Sequence, residues 1–211
     1  MAYEANTYGY TVNGILNKLK MVKAAASNIA NASTLGYKRE IPESVDFQSV
    51  FNDVTSRDQS QGALKKTGNH LNIAIDGNAY ILVESKDGLV PTRNGELGFN
   101  ENGSLVTPDG EVVIIEKTEK PISLSKQDDI RINESGEIFA NGERYGRIAM
   151  KIMDNKPVKI YQGFVEGSNV NLVGEMASML LVFRSFEASE KTLGMEVSVD
   201  KELIEKYGRN V

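Results

Sequence analysis

The sequence predicts an α+β chain, with long N- and C-terminal helices pairing as an antiparallel coiled coil and a central, mostly antiparallel β domain between them. Three observations predict it: an apolar stripe at the start of the chain, a second at its end, and a middle region of short apolar runs broken by turn residues.

From Val12 to Ile29, apolar or small side chains stand at Val12, Ile15, Leu19, Val22, Ala26 and Ile29, with Leu16 flanking Ile15. Steps alternating between three and four put them on one side of a helix, as in a heptad seam. At about 1.5 Å per residue the segment spans on the order of 27 Å, with Lys18, Lys20 and Lys23 mostly off the seam. The same rhythm returns at Leu172, Met176, Met179, Phe183, Phe186, Leu193 and Val197, with one gap at Glu190. Each stripe could pack on the chain's own core. Their place at the two ends, bracketing a region of different pattern, favours helices that cover one another and neighbouring chains.

In between, Leu71, Ile73 and Ile75 alternate before Asp76-Gly77, and Tyr80 to Val83 form an apolar run. Leu97 and Phe99 precede Asn102-Gly103, and Val112 to Ile115 read as one buried strand. Short strands separated by such turns fold most economically as antiparallel hairpins. The stretch from Phe99 to Leu105 is echoed from Ile132 to Ile138, which predicts one turn used twice, with Gly103 and Gly136 at positive φ. The expected organisation is a helix over residues 1–35, a polar extended connector over 36–69, a β-rich domain over 70–165, and a helix with a polar tail over 166–211.

Composition narrows the function. A net charge of −5 argues against binding phosphate backbones, so nucleic acid is not an expected partner. No run approaches the roughly 18 apolar residues of a membrane span, so membrane insertion is not expected. The absence of cysteine excludes disulfides and thiolate chemistry. The segment from Met1 to Asn6 lacks a basic stretch leading into an apolar one, so no cleaved secretion signal is expected.

Catalytic chemistry finds little to stand on. His70 is the sole histidine, which leaves no histidine-rich metal site or triad to build. Lys65-Lys66-Thr67 has the wrong order for a phosphate cradle. Around Asp128-Asp129, Arg131 and Ser135 stand where a calcium loop wants ligands. With 29 acidic residues some carboxylate pair is always available, so such pairs carry no weight. No catalytic, cofactor-binding or metal residue is assigned, no cofactor is expected, and the chain is not expected to be an enzyme.

The segment Asn28-Ile29-Ala30-Asn31-Ala32-Ser33-Thr34-Leu35-Gly36-Tyr37-Lys38-Arg39 resembles the N-terminal signature of the flagellar rod and hook proteins. Two distant stretches match the same family. One runs from Leu71 through Asp76 and Gly77 to Tyr80, then from Pro91 through Thr92, Arg93 and Gly95 to Leu97, and from Gly103 to Gly110; the other runs from Gly163 through Gly167, Ser168, Asn169 and Val170 to Val173, then through Glu175-Met176 to Arg184-Ser185-Phe186-Glu187-Ala188. The motif residues are Asn28, Asn31, Thr34, Gly36, Tyr37, Lys38, Asp76, Gly77, Thr92, Arg93, Gly95, Gly167, Ser168, Asn169 and Val170. The chain departs from the family's pattern between Ile148 and Tyr161, where a longer β excursion is missing, and after Val197.

This resemblance implies a structural subunit of the bacterial flagellar basal-body rod, a periplasm-spanning helical tube that passes torque from motor to hook. The implied partners are copies of the chain and other rod proteins, and the flagellar type III export apparatus, which would carry it out without a cleaved signal. Hook protein and the outer ring bushing are further contacts the resemblance allows. Val12, Ile15, Leu16, Leu19, Val22, Ile29, Leu172, Met176, Met179, Phe183, Phe186, Leu193 and Val197 would then form the subunit interface. The short chain and Asn31-Ala32-Ser33-Thr34 favour the proximal-rod type over the distal-rod type. A hook-type axial protein and a non-axial periplasmic binding protein are the alternatives.

Overall fold

The structure is a computed structural model that describes residues 2–42, 55–86, 88–117 and 129–207. Its contacts divide the chain into two compact units: Met1–Ala30, Glu40–Arg57 and Asn171–Val211 form one, Asn31–Arg39 and Asp58–Val170 the other.

The first unit holds helix α1 (Ala2–Ala30), strands β1 (Glu40–Pro42) and β2 (Thr55–Arg57), and helix α2 (Leu172–Tyr207). Asn171 starts α2 as an N-cap, its Oδ1 accepting the Gly174 N–H at 3.1 Å. Glu175 in the first turn complements the positive end of the helix. The helix then runs 36 residues without a proline. The strands β1 and β2 pair antiparallel, with Ile41 opposite Ser56.

The expectation of an α+β chain built on a terminal coiled coil is corrected here. The chain is mostly β in its elements, with sixteen strands against two helices among the described residues. Leu19, Leu172, Met176, Phe183 and Val197, which an interlocked seam would bury, are exposed. Among the described residues, the buried side chains of the helices are Ala24, Ala25 and Asn28 on α1, and Glu175 and Val182 on α2. The helices meet at polar groups: Lys18 Nζ donates to the Ser185 carbonyl at 3.0 Å and to the Ser189 hydroxyl, and Asn28 Nδ2 donates to Glu175 Oε2 at 3.3 Å. The three-and-four period was legible in the residues, but the phase was not. A reading weighted by apolar size places the largest side chains inward, whereas small and hydrogen-bonded ones sit there.

The second unit carries the expected β domain. Its strands are β3 (Leu64–Lys66), β4 (Ile73–Asp76), β5 (Ala79–Ser85), β6 (Gly88–Thr92), β7 (Gly98–Phe99), β8 (Leu105–Val106), β9 (Val112–Val113), β10 (Ile115–Lys117), β11 (Ile130–Ile132), β12 (Glu137–Ala140), β13 (Glu143–Ile148), β14 (Met150–Ile152), β15 (Lys159–Gln162) and β16 (Phe164–Glu166). A six-stranded sheet runs β14-β5-β9-β8-β7 with β6 on the other edge of β5; a four-stranded sheet runs β10-β13-β12-β11. The strands β15 and β4 pair, as do β16 and β3. Every described pairing is antiparallel.

One expected strand proves to be two. The run Val112–Ile115 bends at Ile114, so that β9 joins the larger sheet and β10 the smaller. The bend is held by Ile114 N–H donating to the Leu82 carbonyl and Ala149 N–H donating to the Ile114 carbonyl, both at 2.9 Å. The stretch from β13 to β14 changes sheets in the same way at Ala149. Because the two sheets share these crossing segments, one core serves both, centred on Ile73, Ile81, Val83, Leu105, Ile138 and Ile148.

The repeated turn is present. Asn100 Oδ1 accepts the Asn102 and Ser104 N–H groups, and Asn133 Oδ1 accepts those of Ser135 and Glu137. Gly103 and Gly136 take positive φ, 76° and 82°. A third copy at Thr107–Glu111 escaped the sequence reading, because the Thr107 hydroxyl replaces the amide oxygen as acceptor for Glu111 N–H. An Asn141-Gly142 pair with both φ positive, 52° and 86°, closes the β12–β13 hairpin.

Candidate functional site

The motif residues meet inside the β unit around a buried carboxylate. Past α1, the segment 31–39 turns at Asn31, whose carbonyl accepts Thr34 N–H at 3.1 Å. Gly36 follows with φ of 69° and its N–H on the Glu166 carbonyl at 2.8 Å. A Cβ on Gly36 would lie 2.4 Å from the Arg93 carbonyl carbon, so the first and second motifs touch only because this residue has no side chain. Gly36→Ala is expected to cost roughly 2–5 kcal/mol, from left-handed strain and overpacking together. Chemical denaturation measures it; a loss below about 0.5 kcal/mol would mean that the backbone yields at this contact.

Two residues on, Lys38 turns inward. Its Nζ lies 2.8 Å from Glu166 Oε1 and donates to the Ser60 carbonyl at 2.7 Å. Arg93 approaches from the other side, its guanidinium 2.7 Å from Glu166 Oε2. The side chains of Lys38, Arg93 and Glu166 are 4%, 3% and 1% exposed, so the triad is withdrawn from water. Two cations face one anion. Arg93 also donates to backbone carbonyls, Nη1 to that of Gly77 at 2.7 Å and to that of Ala79, and Nη2 to that of Ile75 at 3.3 Å. The Tyr80 ring lies 5.7 Å from the guanidinium carbon. Gly62 N–H donates to Glu166 Oε1 at 3.0 Å. Burying three charges costs solvation, so such a cluster fixes geometry more than it adds net stability.

Asn169 ties the segments 37–39 and 58–60 together. Its Oδ1 accepts Arg39 N–H at 2.7 Å, while Nδ2 donates to the carbonyls of Asp58 and Ser60 at 3.0 and 2.9 Å. Its own N–H reaches the Tyr37 carbonyl at 3.4 Å. The Ser60 backbone N–H, 2.9 Å from Asp58 Oδ1, and then the Ser60 hydroxyl hold the Asp58 carboxyl below its ordinary range, with Arg39 and Lys38 adding to it. A carboxyl lowered by folding contributes stability above its unfolded value of about 3.9, and that contribution is lost as pH falls through the folded value. The stability difference between the native chain and Asp58→Asn should therefore shrink below about pH 4, by well under 1 kcal/mol for so accessible a group. A difference flat with pH would exclude this role.

The other motif residues serve locally. Thr92 Oγ1 accepts Asn94 N–H, the Gly95 carbonyl accepts Ile73 N–H, Gly167 N–H reaches the Ala63 carbonyl, and the Ser168 hydroxyl accepts Val170 N–H. Asp76 is exposed, and Gly77 makes the β4–β5 turn with φ of 113°. In the helical unit, Asn28 is fully buried: its amide donates to the Glu40 carbonyl at 2.9 Å and accepts the Glu40 N–H at 2.8 Å, as a neighbouring strand would.

Sequence reasoning gave no role to Glu166 and Glu175, which lie within the C-terminal family stretch, or to Ser60 and Gly62. Glu166 left one trace: it is the lone charge in the apolar and small run Gly163-Phe164-Val165-Glu166-Gly167. The expected interface residues Ile15, Leu16, Val22, Ile29, Met179 and Phe186 are half-buried, while Leu19, Leu172, Met176, Phe183 and Val197 are exposed. Val12 and Leu193 lie on the helices, with their side chains outside the described residues. Among the described residues no three His, Cys, Asp or Glu side chains come together as metal ligands. Asp128 lies outside the described residues, Asp129 pairs with Arg131 at 3.1 Å, and Asn133 closes a turn. No described helix is long and apolar enough to cross a membrane.

A β unit whose motif residues bond to one another, joined in sequence to a helix exposing Val173, Leu180, Leu181 and Phe183, defines an assembly subunit: a chain made to be covered by others. Residues 161–205 match the C-terminal domain of the flagellar basal body rod FlgEFG proteins, and residues 74–140 match the D1 domain of the flagellar hook protein FlgE/F/G family. The flagellar basal-body rod protein FlgF of Mesorhizobium japonicum is 30% identical, over 87% of this chain and 90% of its own length. FlgF of Rhizobium meliloti is 27% identical over 80% and 83%, and the rod protein FlgG of Bacillus subtilis 22% over 92% and 96%. The chain belongs to the flagellar basal-body rod protein family.

Proposed function

We propose that this chain is a structural subunit of the flagellar basal-body rod, and that copies of it, with other rod components, build the helical tube that carries torque from motor to hook. The observation that carries the reading is the outward side of α2. Leu172, Val173, Met176, Leu180, Leu181 and Phe183 are all exposed there, in a chain whose relatives are named rod proteins. Apolar area left in water is unfavourable by about 25 cal/mol per Å², and a contiguous apolar face of this kind marks a surface to be covered. Contacts that join the helix face of one copy to a different surface of the next do not close a ring, and so give a helical tube.

Under this reading the helices carry the subunit interface, including Val12, Ile15, Leu16, Leu19, Val22, Ile29, Met179, Phe186, Leu193 and Val197. Residues 36–69 connect them to an outer β domain at 70–165. The subunit reaches the periplasm-spanning rod through the flagellar export apparatus, meets other rod proteins there, and touches hook protein and the outer ring bushing. Its role is structural and not enzymatic. Electron microscopy of basal bodies purified from a strain carrying a tagged copy tests it: label is expected along the rod. Basal bodies with a complete rod and no label would refute the assignment.

A further inference from the structure

We propose that Met176 and Met195 are oxidation sites through which hydroperoxides control assembly, an inference that rests on α2 being the assembly face. The chain has seven methionines and no cysteine, so thioethers are its readily oxidised sulfur. On α2, Met176 is 47% and Met195 66% exposed, whereas Met179 is half-buried. Met176 lies one helical turn from both Leu172 and Leu180, which are exposed as well, so its sulfur sits within the apolar face. Thioethers suit such a face because they are flexible and polarisable and adapt to whatever covers them.

Oxidation reverses that property. A lone pair of Sδ attacks one peroxide oxygen, the S–O bond forms and the O–O bond breaks. The departing hydroxide, or the alkoxide of an organic hydroperoxide, takes the proton of the transferred oxygen and leaves as water or the alcohol. Sulfur loses two electrons and the peroxide gains them. The product sulfoxide is polar and accepts hydrogen bonds, and a neighbouring copy that covers this face with apolar side chains offers it no donor. Once covered, the same sulfurs are shielded, so the control acts on subunits that have not yet assembled.

The full chain, treated with hydrogen peroxide under native conditions, provides the test. Sulfoxides are mapped by peptide mass spectrometry and self-association is followed by sedimentation. Met176 and Met195 are expected to oxidise before Met150 and Met179, and the concentration required for association to rise at least about tenfold. Methionine sulfoxide reductases should reverse the rise. In Met176→Leu/Met195→Leu, whatever its own threshold, the ratio of treated to untreated thresholds should stay near one. Met21→Leu/Met153→Leu, lacking two exposed methionines that are not on α2, should remain sensitive. Equal association of treated and untreated native chain overturns the inference and leaves the rod reading intact, as does insensitivity of the Met21→Leu/Met153→Leu chain. A native chain that never associates, treated or not, overturns the rod reading and this inference with it.

Discussion

Glu166→Ala is expected to cost the β unit about 3–5 kcal/mol, because it leaves the Lys38 and Arg93 cations buried without their shared anion. That is a large part of the roughly 5–15 kcal/mol that holds an ordinary domain folded, so the unit should unfold at a markedly lower urea concentration. The loss goes beyond the two ion pairs. Gly62 N–H also gives up its acceptor, and the approach of the 36–38 segment to Arg93 loses its fastening. Replacing all three partners, as in Lys38→Met/Arg93→Met/Glu166→Met, should be far milder than the single change, because no charge is then stranded. Urea unfolding followed by circular dichroism distinguishes the two. A single-variant cost below about 1 kcal/mol would mean that water reaches the cluster and that the triad does not organise the motifs.

Phe183→Asp should have the opposite profile, with the fold retained and assembly lost. Phe183 is 43% exposed, so exchanging it disturbs little packing within the chain. In an assembled tube the same carboxylate would be covered and unpaired, at several kcal/mol per contact. Cells carrying the variant are expected to be non-motile, while the purified chain melts within a few degrees of native. Its neighbour gives the contrast: Val182 is buried, and Val182→Asp should unfold the helical unit itself. Normal swimming by the Phe183→Asp strain would remove α2 from the assembly surface.

These two residues show how far the sequence reaches. The helix period around Phe183 is visible in the order of residues, as are the strand alternation at Ile73 and Ile75 and the glycine turns at Gly103 and Gly136. All are local properties: the period follows from backbone geometry, and the turns from the few residues that tolerate positive φ. The family signature likewise marks Lys38 and Arg93 without saying what they do.

The turn at Thr107–Glu111 lay at the edge of legibility, since a hydroxyl there replaces an amide and the echo fades. The bend at Ile114 lay beyond it. Nothing in Val112-Val113-Ile114-Ile115 shows that neighbouring carbonyls belong to different sheets, since those partners, Leu82 and Ala149, are distant in the chain.

By itself the sequence determined the helical period near the two ends and the glycine turns at Gly103 and Gly136, that no thiol chemistry is available, and which residues a rod protein is expected to carry. Only the tertiary structure decided which side of α2 lies inward, with Glu175 and Val182 buried and Phe183 exposed. It alone decided that Lys38 meets Glu166 across 128 positions of chain. The physical reason is the same in both cases. Local conformation depends on neighbours along the backbone, whereas burial and ion pairing depend on the path of the whole chain, and that path is set by the packing of the core rather than by any one residue.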